Sequence, residues 1–249
     1  MKLLFVTLLI LPSCFSAASN AQEKISIALT HIPNVMEYNN DKAPYNLLVK
    51  HLVKKIDFDL ELNYMPSSRS NKKLQDRSVD CIFPTIPTAS RSIPTQLSSK
   101  VNSISAYIFT IGPERYTKLS QLHNKLVVHQ RGYLFGDYIT EQKHINFFPV
   151  VSQQAAIGML QKKRAAALID YLPDLRFILT KKQMSKLNYE ELSPLLQSFD
   201  YFECIVNPRV DSFVKELNNT LEVMKKSGEL EEVLGLYYLS TESQLKQDQ

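Results

Sequence analysis

Strand and helix signals alternate along this chain, and they do so twice. In the first run, Lys24–Thr30 alternates apolar with polar residues and is rich in β-branched side chains, the pattern of a strand. Residues 44–56 then place Leu48, Leu52, Val53 and Ile56 on one helical face behind a proline start. Residues 60–65 read as a second strand and 70–77 as a polar helix anchored by Leu74. Residues 81–83 read as a third strand, cut short by Pro84. This order is the signature of an α/β layer with parallel strands, because a parallel pair needs a crossover long enough to hold a helix.

The second run repeats the theme. Residues 106–111 form a strand that leads into it, and 126–129 form the next. Arg131-Gly132-Tyr133 opens a helix that runs to about Gln142. Asn146–Val150 is a strand, and 153–162 a helix with Ala156, Met159 and Leu160 facing inward. Residues 165–169 are an apolar strand ending at Asp170, and 173–180 a helix. A strand at 201–206 precedes an amphipathic helix at 212–226, whose stripe is Phe213, Leu217, Leu221 and Met224 and whose stop is Gly228. A shorter helix at 230–237 and a polar tail from Ser240 close the chain. The result is two similar α/β halves joined by strands near 106–111 and 201–206.

The chain has 249 residues, room for one large domain or two small ones. Its 44% hydrophobic and 22% charged residues exclude a disordered chain, a collagen-like repeat and a coiled-coil rod. The net charge is +4 with scattered Lys and Arg, so no nucleic-acid partner is indicated. Met1-Lys2, an apolar run over 3–12 and small or polar residues over 13–21 are the three parts of a secretory signal peptide. Cleavage is expected after Ala21, with Ser19 at the −3 position, or after Ala18. Leu11-Pro12-Ser13-Cys14 resembles a lipobox, which would acylate Cys14, but proline is unusual before its small residue. The apolar run is shorter than the roughly 20 residues a bilayer span needs. No later segment is long and apolar enough, so a free periplasmic or secreted protein is expected.

Beyond the leader only Cys81 and Cys204 are left, too few for a disulfide scaffold or a four-ligand zinc site. Export permits disulfides, and two separate buried thiols or one long-range bridge are both open. The five histidines (31, 51, 123, 129, 144) show no metal spacing, and neither H-E-x-x-H, G-x-S-x-G nor a P-loop is present. No metal or cofactor is expected.

Four stretches carry a resemblance. They are Pro66-Ser67-Ser68-Arg69 with Leu74 and Val79-Asp80; Thr88-Ala89-Ser90-Arg91; the run from Leu160 to Asp170 (LQKKRAAALID); and Val214 to Tyr238. In their order and spacing they resemble the bacterial extracellular solute-binding proteins of family 3, typified by the polar amino-acid receptors of ABC transporters. The third stretch departs from the family pattern, with Lys163 at its glycine and Ala166 at its first aspartate. The resemblance implies a periplasmic-binding-protein-like type II fold, two α/β lobes joined by two crossover strands with a ligand cleft between them. It implies lobe 1 from 22–108 plus 203–249 and lobe 2 from 109–202, closing by hinge bending. It also puts Cys81 and Cys204 on neighbouring strands of the first lobe, which brings a bridge level with two separate thiols.

The same resemblance nominates ligand groups, each against a plainer reading. Arg91 matches the family arginine that forks onto a ligand carboxylate, a job suited to its planar pair of N–H bonds; otherwise it is a surface loop residue. Asp170 matches the second-lobe aspartate that receives the ligand ammonium; a helix N-cap is its other reading. Thr85 and Thr88 lie where relatives offer hydroxyls and amides, but Pro84 and Pro87 remove donors there. Arg131, Gly132 and Tyr133 open a second-lobe helix whose N-terminus would favour an anion; an exposed turn is the alternative. Arg69 points at the cleft in divergent relatives, or is a solvated helix residue beside Lys72 and Lys73. Tyr38 would stack on a ligand, or be a loop tyrosine, and His31 ends the first strand at the cleft edge. Three arginines and one aspartate would favour an anion overall.

The resulting expectation is a monomeric binding protein for a small polar solute, an amino acid or other carboxylate, handed to a membrane transporter or a membrane sensor. An enzyme on the same scaffold is the rival, with His31 and Glu37 as an acid and base supported only by proximity in sequence. An adhesive or structural protein would need an apolar patch or a repeat, and neither is visible.

Overall fold

The computed structural model describes residues 24–87, 91–131, 133, 135, 139 and 141–239. The leader, Thr88 and Gly132 lie outside these residues, as does most of the helix expected after Tyr133. In chain order the elements begin with β1 (Lys24–Thr30), α1 (Pro44–Val53), β2 (Asp59–Met65), α2 (Ser67–Gln75), β3 (Cys81–Thr85), β4 (Thr95–Leu97) and β5 (Asn102–Phe109). They continue with β6 (Leu126–Gln130), β7 (Asn146–Val150), α3 (Gln153–Gln161), β8 (Ala167–Tyr171), α4 (Leu172–Ile178) and α5 (Lys181–Met184). The last are β9 (Leu196–Ile205), α6 (Pro208–Ser227) and α7 (Glu229–Leu234). Short 3₁₀ turns lie at Leu119–Leu122 and Gly235–Tyr237.

β1 pairs in parallel with β2 on one side and β3 on the other. β6 likewise pairs in parallel with β7 and β8. Two long strands connect these parallel triplets. The amino-terminal half of β9 runs antiparallel to β5, from Asn102↔Asp200 to Ala106↔Leu196, and its carboxyl-terminal half pairs with β3 and β4. β5 in turn reaches β8, from Ala106↔Tyr171 to Phe109↔Leu168. The apolar core divides in the same way. One cluster draws on Ile25 to Val101 and Phe202 to Tyr237, and two others sandwich the second triplet. These are two α/β lobes joined by two crossover strands.

Local chemistry accounts for most element ends. Pro44 opens α1, which buries Tyr45, Leu48, Val49 and Leu52. Val53, assigned to the buried face from sequence, is exposed, because Tyr45 and Val49 complete the stripe instead. Ser152 caps α3 by accepting from the Ala155 N–H at 3.2 Å, and Asn207 caps α6 by accepting from Val210 N–H at 3.0 Å. Gly228 ends α6 at φ 79°, where a side chain would be strained. Two strand boundaries depart from the sequence reading. Pro84 does not end β3: the register slips by one residue between Ile82 and Thr85, and this bulge accommodates a residue with no N–H. β9 begins at Leu196, five residues before the expected start at 201, because its first half pairs with β5.

Cys81 and Cys204 face each other across β3 and β9 and are joined by a disulfide. The bridge ties positions separated by 123 residues, so it removes much of the unfolded chain's freedom. Replacing both cysteines by alanine is expected to lower the unfolding free energy by about 2–4 kcal/mol, read from urea melts. Equal midpoints for the oxidised and reduced chain would contradict this. Gly228→Ala is expected to cost roughly 1 kcal/mol in the same assay.

Candidate functional site

All six parallel strands deliver their carboxyl ends to one cavity of about 640 Å³ between the lobes. Thr30 and His31 come from β1, Pro66 follows β2, and Thr85 and Ile86 end β3. Gln130 and Arg131 end β6, Val151 follows β7, and Tyr171 ends β8. This is where open α/β sheets present ligand groups, because the crossover connections leave a crevice there. Asp174 of α4, Asp200 and Glu203 of β9, and Tyr237 of the last 3₁₀ turn complete the wall.

Of the sequence candidates, His31, Thr85, Arg91, Arg131 and Tyr133 line this cavity. Tyr38 does not; it is 69% exposed and packs edge-on against Tyr64 at 5.7 Å. Arg69 does not either. Ser67 and Asn71 lie one helical turn apart on the cleft face of α2, and Arg69, about 200° round from Ser67, is exposed. Asp170 is fully buried but absent from the cavity wall. Side chains on a strand alternate, so with Tyr171 turned to the cleft, Asp170 faces the other side. There its Oδ1 accepts from Gln153 Nε2 at 3.2 Å and from the Tyr171 N–H at 2.8 Å, while Oδ2 has no partner. The N-cap of α4 is Tyr171, not Asp170. Glu37 does not meet His31; its carboxylate accepts from Asn40 Nδ2 at 3.0 Å.

Arg91 is engaged. Its Nε donates to Glu203 Oε1 at 2.8 Å, and Nη2 donates to Glu203 Oε2 at 2.6 Å and to Asn71 Oδ1 at 2.7 Å. Thr95 Oγ1 adds a hydrogen bond to Glu203 at 3.0 Å. The pair is largely sheltered, with side-chain exposures of 16% and 6%. Removing one partner of such a pair strands the other charge, so Arg91→Ala is expected to destabilise the protein by about 3–5 kcal/mol apart from any ligand effect.

The same cavity also carries carboxylates bonded to tyrosines. Asp174 accepts from the hydroxyls of Tyr237, at 2.9 Å, and Tyr133. Asp200 Oδ2 accepts from the Tyr45 hydroxyl. Gln153 links Tyr133, at 3.3 Å, to Asp170. Burial raises Asp174 to about 6 and Asp200 to about 7, although the tyrosine hydroxyls pull both down. Burial, then the neighbouring Asp174 charge, pushes Asp170 well up. Burial likewise holds the hydroxyls of Tyr45, Tyr133 and Tyr237 in their neutral, donating form.

The anion-favouring cleft expected from three arginines is therefore corrected. Arg69 is outside it, Arg91 is matched by Glu203, and Asp174 and Asp200 line the same cavity. Asp174, Asp200, Glu203, Gln130 and Tyr237 were missed in the sequence. Each is a single residue in an ordinary strand or helix, and Asp200 and Glu203 lie more than 100 positions from Arg91.

Comparison with protein-family models finds no match, and comparison with curated protein sequences finds none either. Solved structures do match. The ligand-binding core of GluR0 from Nostoc punctiforme, in complex with L-glutamate, is 20% identical with a TM-score of 0.70, covering 86% of this chain and 99% of that one. A mutant of ArgBP from T. maritima is 17% identical with a TM-score of 0.65, covering 86% and 94%. AbpA from Streptococcus pneumoniae, an amino acid ABC transporter substrate-binding protein bound to L-arginine, is 16% identical with a TM-score of 0.63, covering 86% and 94%. At these identities the likeness defines a fold: the chain has the two-lobed periplasmic-binding-protein-like type II architecture. Among the described residues no helix is long and apolar enough to cross a membrane.

The buried acids give a pH signature. An aspartate whose folded pKa lies above its unfolded value near 4 holds its proton more tightly when folded. Between about pH 4 and about 7 the folded chain then binds more protons than the unfolded one, and stability falls as pH rises. His129, lowered by burial, works in the opposite direction, so the informative quantity is a difference. Relative to Asp200→Asn, the unmodified chain is expected to lose stability by on the order of 1–4 kcal/mol between pH 5 and about pH 8. Parallel stability profiles for the two proteins would refute it.

Proposed function

We propose that this chain is a divergent member of the extracytoplasmic family 3 solute-binding proteins. It captures a small polar solute, an amino acid or similar, and presents it to a membrane transporter. The observation that carries this reading is the shared cavity, with three parallel strand ends from each lobe meeting around it and β5 and β9 as the crossover strands among the described residues. Its volume of about 640 Å³ lies in the usual range for small-molecule sites. We take residues 22–108 with 203–249 as one lobe and 109–202 as the other, closing on the solute by bending where β5 and β9 cross. The neighbours in complex with L-glutamate or L-arginine support an amino-acid-sized ligand.

Binding rather than catalysis is supported by how the cleft's charges are engaged. Glu203 is committed to Arg91, and Asp174 and Asp200 to tyrosine hydroxyls, which positions them to hold and not to transfer. Periplasmic residence is supported by the leader and by the Cys81–Cys204 bridge, since disulfides persist in oxidising compartments.

A thermal-shift screen of amino acids, organic acids, amines and sugars, followed by small-angle scattering of any complex, tests the proposal. A solute at 100 times its Kd is expected to add about 2.7 kcal/mol of stability and to shrink the radius of gyration. Stabilisation with unchanged dimensions would argue against lobe closure, and no stabilisation by any compound would argue against the function.

A further inference from the structure

Hydrogen-bonding capacity in the cleft is unevenly available. Arg91 has five N–H donors, and the edge formed by Nε and Nη2 is closed by Glu203. The second Nη2 proton goes to Asn71, so among the described residues only Nη1 is uncommitted. A solute carboxylate seeking two parallel N–H bonds therefore meets no open edge. To make one it would have to displace either Glu203, which is nearly buried and also held by Thr95, or Asn71, whose amide is held by Ser67. Arg131 is exposed at the rim, where an ionic contact is weak.

Acceptors show the reverse. Gln130 lines the cavity, is 3% exposed, and its Oε1 is buried without a hydrogen-bond partner. An acceptor left this way is unfavourable until a donor reaches it. Asp174 receives one hydroxyl on each oxygen, and a carboxylate oxygen accepts more than one bond. Asp200 Oδ2 accepts from the Tyr45 hydroxyl. Tyr171 and Tyr237 line the same cavity, and aromatic side chains attract cations.

We propose that the cleft selects its solute by an ammonium group, received by Gln130 Oε1 and the Asp174 carboxylate beside Tyr171 and Tyr237, with no requirement for a carboxylate. This rests on the solute-binding reading above and makes Gln130 a specificity-determining residue.

The test uses calorimetric titration of the purified protein with three matched sets. These are the twenty L-amino acids, their carboxamides (amine kept, carboxylate removed) and their N-acetyl forms (carboxylate kept, amine removed), with 1,4-diaminobutane added. The carboxamide of any amino acid that binds is expected to bind within about tenfold of its parent, and the N-acetyl form not to bind. Gln130→Leu is expected to weaken amine binding at least tenfold. It should leave the unliganded melting temperature unchanged or higher, because it removes an unpaired acceptor and not a structural bond. N-acetyl compounds that bind while carboxamides do not would overturn the inference and leave the solute-binding function standing. Carboxamide binding unaffected by Gln130→Leu would overturn the role of Gln130. Failure of every compound, the diamine included, would overturn the function and the inference together.

Discussion

The ladder between Asn102–Ala106 of β5 and Leu196–Asp200 of β9 is the constraint on which the rest of the molecule depends. It carries the chain out of one lobe and back again, and it sets two parallel triplets so that their carboxyl ends share one cavity. The C-terminal segment braces this crossing. Asn102 Nδ2 donates to the Tyr237 carbonyl at 3.0 Å and Asn102 Oδ1 accepts from Leu239 N–H at 2.9 Å. The Tyr237 hydroxyl reaches Asp174 on α4 at 2.9 Å. The cleft wall and the lobe junction are thus built from the same residues.

That coupling explains why so many polar groups are buried there. Asp170, Asp174 and Asp200 lie in or behind the cleft wall, and burial makes ionising each of them unfavourable. Tyrosine hydroxyls relieve part of the cost at Asp174 and Asp200, because they donate without adding charge. Gln130 and Asp170 each keep an unsatisfied oxygen. Such groups destabilise a fold, and of the two Gln130 lines the cavity while Asp170 lies behind its wall. Elsewhere in the cavity the charges cancel locally, since Arg91 bridges Asn71 of α2 and Glu203 of β9, and Thr95 of β4 donates to Glu203.

The fold was largely legible because its signals are local. A strand has period two and a helix 3.6, and caps such as Asn207 and stops such as Gly228 lie within a few residues of the ends they set. Where reading failed, a distant partner was responsible. β9 extends to Leu196 because β5 pairs with it, and β3 runs past Pro84 because a bulge absorbs the missing N–H. The cleft was less legible. Arg91, Arg131, His31, Thr85 and Tyr133 are on its wall, but the partners that determine what they can do are not their sequence neighbours.

The sequence by itself determined the alternation of strands and helices, the two similar halves and the apolar faces that bury them, since each follows from side-chain periodicity within a short window. Only the tertiary structure decided that Cys81 meets Cys204, that Glu203 closes the fork of Arg91, and that Asp174 and Gln130, not Asp170, line the cavity between the lobes. The reason is geometric. Shifting by one residue on a strand, or by two on a helix, turns a side chain to another face, and which face is the cleft depends on strands that pair across 90 to 98 positions of chain.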